Sequence, residues 1–358
     1  MIEFSLATSW DDQLIREISR LNKKYSDRRI VEVYGSFRTS MAGSARPPWR
    51  LPDVSEDQAI RHMQCIHEHG LKFNYVLNAP VIYGEPGKTR SDLISETTRF
   101  IDWLQNTLRV DSITVAIPTI ARLIKEKFPT LKLIISVVAD VHTLERAKKF
   151  EKIGADLIYL NAHTANRDFS TIRKIASGLN CAIGLYANIS CLDHCPYRKE
   201  HYKFFGAVSQ TFSRRFHGEV IKDPFYALCM LIYLREPFQL LKAPFIRPED
   251  IGEYHKMGVN IFKLSDRSDS TATLIRTAEA YLSGEFHGNL FEFIFRKGKK
   301  MDEGFSLLTQ EEGFAENPLV IDNDQLTALS FFSKISQLRG QKLDDFCRAA
   351  LVQCSNLK

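Results

Sequence analysis

The 358-residue chain lacks any apolar run that could cross a bilayer; the best, 225–234, has ten residues where about 18 are needed. Its first residues, MIEFSLATSWDD, lack both the basic flank and the apolar stretch of a secretory signal, so a cytoplasmic location is expected. Charge of one sign is also missing. The net charge is +5, and Lys and Arg are scattered, which argues against a dedicated duplex-DNA binder. There is no GxSxG, HExxH or Walker A loop, which removes the usual signs of serine hydrolases, zincins and P-loop NTPases. No GxGxxG follows the first strand, and GEPG at 84–87 is a turn rather than a phosphate cradle. The CxxxCxxC loop of radical S-adenosylmethionine chemistry is absent too, since Tyr197 and Arg198 follow Pro196. Internal repeats and low-complexity tracts are also lacking.

What the chain has is alternation. Short apolar, β-branched and aromatic runs predict strands at 3–7, 30–34, 73–77, 113–116, 133–137, 157–160, 182–187 and 261–264. Apolar spacings of three and four between them predict helices, among them 13–21, 56–67, 93–108 and 271–282. Eight strands in β-then-α order, several apolar throughout, predict a (β/α)₈ TIM-like barrel over residues 1–283. Segment 188–259 is expected to be a long loop after strand seven, with a ninth strand candidate at 238–243. Residues 284–358 form a C-terminal extension with a charged stretch at 296–300 and an expected final helix at 325–338.

Seven cysteines form an odd set in a chain expected in a reducing compartment, which disfavours a disulfide framework. Cys65, on a helix face, is expected to be structural, and Cys347 and Cys354 incidental. Cys181 and Cys191 sit at opposite ends of strand seven, roughly 33 Å apart along an extended chain, so they cannot share an ion. Pro196 keeps Cys191-x₃-Cys195 in a loop, where two thiolates can converge, and Cys229 returns within the same excursion. Three soft thiolates suit an Fe–S cluster or, with His194 or His201, a Cys₃His zinc site. The bland alternative is that Cys229, inside YALCMLIYL, is a small buried hydrophobe.

Strand ends should deliver polar groups to the barrel's carboxyl face: Ser36, Asn78, Asp140, Asn161, His163, Asn188, Lys263, Asp266 and Arg267. Arg46, Arg247, Lys263 and Arg267 are candidates for binding a dicarboxylate or other anion, with Asn78 and Asn188 as further substrate contacts. The competing reading pairs Arg267 with Asp266 or Glu249, leaves Arg247 at the surface and makes the asparagines turn caps. His163 and His201 are the candidates for proton transfer. His62, His67 and His69 are expected on a solvated helix face.

The segments VYGS (33–36), FNYVLNA (73–79), GADLIYL (154–160), NISCLDHCPYRKEHY (188–202), APFIRPEDI (243–251), FKLSDR (262–267) and HGNLFEF (287–293) resemble, in order, the collagenase-like peptidase family U32 over roughly residues 1–295. The resemblance implies a (β/α)₈ barrel and kinship with proteins for oxygen-independent hydroxylation of the ubiquinone ring and of RNA bases. It implies a [4Fe–4S] cluster with Cys191, Cys195 and Cys229 as ligands, and prephenate as an oxygen donor whose two carboxylates suit the basic residues. One hydroxylase-related branch has a further cysteine after strand two. Here Thr39 stands near that place, leaving either an accessible iron or another fourth ligand. The expectation is therefore an Fe–S hydroxylase or related redox enzyme acting on an aromatic or nucleobase-like substrate. The alternatives are a zinc-containing hydrolase or peptidase, and a non-catalytic Fe–S subunit working with a homologous partner.

Overall fold

The computed structural model describes residues 1–84, 87–211, 223–295 and 319–356. Eight parallel strands close into a barrel in sequence order: β1 (Ile2–Ala7), β2 (Arg28–Gly35), β3 (Lys72–Leu77), β4 (Ser112–Val115), β5 (Lys132–Ile135), β6 (Leu157–Tyr159), β7 (Ala182–Tyr186) and β8 (Ile261–Leu264). Closure comes from β8 lying beside β1, with Lys263 opposite Ser5. All eight predicted strands form. The fifth stops short of 137 because Ser136 caps a 3₁₀ turn, Val137–Ala139, through its side chain.

Helices α1 (Asp12–Lys24), α2 (Glu56–Glu68), α3 (Arg90–Asn106), α4 (Pro118–Lys127) and α5 (Leu144–Ile153) follow the first five strands. Their starts are set locally. Asp11 caps α1, Ser55 with Gln58 and Thr89 with Asp92 form capping boxes at α2 and α3, and Pro118 opens α4. After β6 come the single turn α6 (Ala162–Ala165), capped by Asn161, and α7 (Phe169–Gly178). The outward faces of the strands and the inward faces of the helices make the main core, in which Phe4, Leu6, Ile30, Phe262 and Tyr281 are fully or almost fully enclosed.

The inside of the barrel is different. One small apolar cluster, Ile134, Leu157 and Tyr159, fills part of it. The rest is polar around Glu32, whose carboxylate accepts from Ser5 Oγ (2.6 Å), Ser112 Oγ (3.1 Å) and Asn74 Nδ2 (3.2 Å). Gly184 faces this interior. A Cβ there would meet the Tyr159 ring at 2.6 Å, so only glycine lets that ring cross the barrel.

Segment 188–259 is not a plain loop. It carries α8 (Arg198–Val208), α9 (Pro224–Arg235), α10 (Gln239–Lys242) and α11 (Ile251–His255). The expected ninth strand at 238–243 is instead the turn α10 and its flanks: a closed barrel offers no free edge for another strand. Phe238, Leu240, Leu241 and Ala243 are all buried, and Lys242 pairs with Asp344 at 2.7 Å. Helix α12 (Thr271–Ser283) completes the barrel.

The extension begins with α13 (Leu290–Ile294); the charged stretch at 296–300 lies outside the described residues. The expected helix at 325–338 is two helices, Asn323–Ala328 and Phe331–Gln337, broken where Ser330 takes a positive φ of 54°. A further helix, Gln341–Cys354, follows and buries Cys347 and Cys354. Ile321, Leu326, Phe331 and Ile335 join the main core. His62, expected in solvent, is buried between Thr8 Oγ1 (2.9 Å) and Asp12 Oδ1 (2.6 Å), whereas His67 is exposed.

The packing layer gives a direct test. The Phe4 ring lies 6.0 Å from Phe262 and 5.9 Å from Tyr281, fully enclosed. Phe4→Ala is expected to cost about 3–5 kcal/mol, read as a lowered urea midpoint with an unchanged m-value.

Candidate active site

At the carboxyl ends of the strands a chamber is lined by Tyr34, Arg46, Asn78, Ser136, Tyr159, Tyr186, Tyr202, Lys263 and Arg267. The strand register explains the crowding. Tyr34, Tyr159, Tyr186 and Lys263 are each the last or near-last inward residue of their strands, so they meet above the polar layer. Lys263 Nζ stands 3.7 Å from the Tyr34 ring centroid and 5.2 Å from that of Tyr159. Burial, aided by the nearby positive charges of Arg267 and Arg46 and opposed by Glu32, pulls the Lys263 ammonium down to about 7. Burial and Arg46 likewise bring the Arg267 guanidinium down to about 10, and this guanidinium donates to Ser36 Oγ. Arg46 is held positive against burial by Asp266, whose Oδ1 accepts from its Nε at 3.0 Å. The carboxylates of Asp266 and Glu32 thus face two guanidiniums and the Lys263 amine, which favours an incoming anion once that amine is charged.

Arg46, Tyr186 and Tyr202 also line a second, larger cavity. Cys191, Cys195, Cys229, His163 and His201 all face it. Cys191 and Cys195 sit in the irregular stretch between β7 and α8, with His194 at a positive φ of 49° between them, and Cys229 is on α9. The Cys195 and Cys229 thiols share a hydrogen bond. That bond, outweighing burial, brings Cys195 down to about 6, while Cys229 is pushed up by the same contact and by burial. His201 Nε2 lies 2.9 Å from Asp223 Oδ2, the carboxylate that also caps α9. His163 is buried and neither ring nitrogen reaches a partner in full hydrogen-bond geometry, although the Leu192 backbone acts on the ring. Burial, with Arg198 nearby, takes this imidazole down to about 3, so at neutral pH it is uncharged and a weak base. Among the described residues, no group of three or more His, Cys, Asp or Glu side chains is placed to hold a single metal ion.

The three cysteines, His163, His201, Arg46, Asn78, Lys263 and Arg267 are therefore brought to two joined cavities. Asn78 is fixed there by donating to Ser136 Oγ (2.8 Å) and accepting from the Ala45 backbone N–H (2.9 Å). Asn188 and Arg247 are elsewhere. Asn188 brackets the Ser265 backbone, donating to its oxygen and accepting from its N–H, each at 2.7 Å. It thereby positions the end of β8. Arg247 is 2% exposed, so it is neither at the mouth nor at the surface. Its Nε and one terminal nitrogen grip both Asp250 oxygens at 2.8 and 2.9 Å, and the other nitrogen reaches Thr327 at 3.0 Å and Glu249 at 3.1 Å. Arg267 does not take Asp266 as its partner; Arg46 does. Sequence reasoning missed the four tyrosines. A phenol at the last inward position of three strands was the available signal, whereas Tyr202 on α8 gave none.

Arg247→Ala leaves Asp250 buried without its partner and is expected to cost about 3–5 kcal/mol in unfolding, while anion binding at the mouth is unchanged by calorimetry. Lys263 offers a pH test. Its folded-state value near 7 lies below the ordinary one, so the folded form holds fewer protons than the unfolded form above that pH. The stability of wild type relative to Lys263→Met should therefore rise from about pH 7 to about pH 9, measured by urea unfolding at fixed ionic strength. A difference that does not vary with pH would mean a fully charged amine.

The comparisons with known proteins agree with this barrel. The model of Peptidase family U32 matches residues 42–186. The Uncharacterized protease MJ1657 of Methanocaldococcus jannaschii is 30% identical over 283 residues, covering 78% of this chain and 80% of that protein. The solved structure of the U32 peptidase Mk0906 superposes with a TM-score of 0.52 at 15% identity, over 74% of this chain and 93% of that one, a likeness of fold. Sequence identity across most of both chains, joined to the family match and the closed barrel, makes this protein a member of peptidase family U32.

Proposed function

We propose that the protein is an Fe–S enzyme that modifies an aromatic or nucleobase-like substrate without molecular oxygen, by hydroxylation or a related redox step. One observation carries this reading: Cys191, Cys195 and Cys229 face one cavity that joins a cationic, tyrosine-lined chamber. The donor set fits a [4Fe–4S] cluster. Three thiols are soft ligands, and each cysteine of such a cluster binds a different iron, so the sulfurs need not crowd round a point. A zinc ion does need that crowding; Cys195 and Cys229 are in contact, but among the described residues no third donor is placed to complete a zinc site. When bound, the cluster would supply single electrons to the adjoining chamber.

The chain's own residues do the rest. Lys263, Arg267 and Arg46 bind the carboxylates of an anionic oxygen donor, for which prephenate has suitable chemistry. Tyr186 and Tyr202, which line both cavities, add aromatic surface for a planar substrate. Asn78 and Ser136 present polar atoms at the chamber wall. His201, held by Asp223, is the proton carrier at the cavity between the two sites, in preference to the weakly basic His163. A homologous partner subunit would be an additional requirement for turnover, and as a non-catalytic subunit this chain would use the same mouth for contact.

A second reading, peptide hydrolysis, is favoured by one contact set: Cys195 is near the His201–Asp223 pair, the order of groups in a cysteine nucleophile system.

The readings separate on purification. Anaerobic reconstitution with iron and sulfide should give a brown protein, with Cys191→Ala losing its iron and Cys181→Ala, at the far end of β7, keeping it. A colourless wild type, or equal loss from both variants, overturns the Fe–S reading. A metal-free protein that cleaves peptides until Cys195 is alkylated establishes the second.

A further inference from the structure

The cluster reading leaves one ligand unaccounted for: three cysteines face the cavity, and a [4Fe–4S] cube has four irons. The described residues narrow the candidates. Thr39, where a relative's cysteine was expected, lines a different groove with Phe37 and Trp103. Cys181 is at the amino end of β7, beside the Glu151 carboxylate. His194 is 79% exposed at its side chain and lies 2.9 Å from Asp193. His201 has Nε2 engaged by Asp223.

Among the cavity histidines, His163 is the buried one whose ring nitrogens reach no partner in full hydrogen-bond geometry, the Leu192 backbone acting on the ring less than burial does. A buried polar group without a partner costs about 1–3 kcal/mol and calls for an explanation. Its backbone is held in place: Asn161 accepts from the His163 backbone N–H at 3.0 Å and so fixes the turn that follows β6, the strand paired with β7. The turn and the cysteine loop therefore leave neighbouring strands and reach the same cavity. A hydrophobic wall would have used an apolar residue here. An imidazole is a good ligand for iron.

We infer that His163 supplies the fourth protein ligand, a ring nitrogen, to the cluster held by Cys191, Cys195 and Cys229; this rests on the Fe–S reading above. It makes the cluster a coordinatively closed electron carrier, so substrate binding falls to the cationic chamber beside it.

The test uses the full chain, reconstituted anaerobically, reduced and frozen for pulsed EPR, with natural-abundance and ¹⁵N-labelled histidine. Wild type should show a nitrogen directly coupled to the cluster that responds to the label. The coupling should vanish in His163→Ala and His163→Cys. His163→Cys should keep its iron, with a midpoint potential shifted to more negative values as thiolate replaces imidazole. A wild-type cluster without that coupling, or one whose coupling survives in His163→Cys, overturns the His163 assignment and leaves the Fe–S reading standing. A wild type that takes up no iron removes both, and is recognised by iron and sulfide content before any EPR is recorded.

Discussion

One buried side-chain amide ties the two halves of the site together. Asn188, just past β7, both donates to and accepts from the backbone of Ser265, just past β8. On one side of this clasp the chain runs on to Cys191 and Cys195, on the other to Asp266 and Arg267. The net value of such bonds is only about 1 kcal/mol each, but leaving their partners unsatisfied in the interior costs more. The Arg46–Asp266 pair and the Arg267–Ser36 bond then extend the clasp across the mouth to the segment after β2. The joined cavities are a result of this stitching, because closure of the barrel alone sets only the strand positions.

Polarity inside the barrel serves the same end. A barrel of this type ordinarily fills its interior with branched aliphatic side chains. Here Glu32, Ser5, Asn74, Ser112 and Thr114 form a bonded layer beneath Lys263, and the small aliphatic cluster occupies only one side. The negative charge of Glu32 moderates the cost of placing an amine above it, yet burial and two guanidiniums still outweigh it.

Strand positions were legible because parallel strands covered on both faces are apolar throughout, and the helices were legible because their apolar spacing coincides with Ser, Thr and Asp caps. Pro196 and strand length placed Cys191 and Cys195 in a loop at the barrel mouth and separated Cys181, whereas the sequence itself left Cys229 open between a third ligand and a buried hydrophobe, and only the family resemblance implied the set of three. Local pattern failed where burial is decided by distant partners. Phe238–Ala243 has the composition of a strand, but its surroundings are helices. Arg247 and His62 carry polar heads, and their concealment depends on Asp250, Thr327, Thr8 and Asp12. Asn188 was placed at the right end of the barrel, but its hold on the Ser265 backbone was not legible, since an amide that reads backbone is indistinguishable in sequence from one that reads a ligand.

The grip of Arg247 on Thr327, and the seating of Phe331 5.2 Å from its guanidinium, join the last helices to the segment preceding β8. Those helices are thus a lid over the barrel's own ion-pair knot, not an ornament hung from it. Loss of them would open the charges of Arg247, Glu249 and Asp250 to water, so the far end of the chain keeps dry the wall that leads into β8.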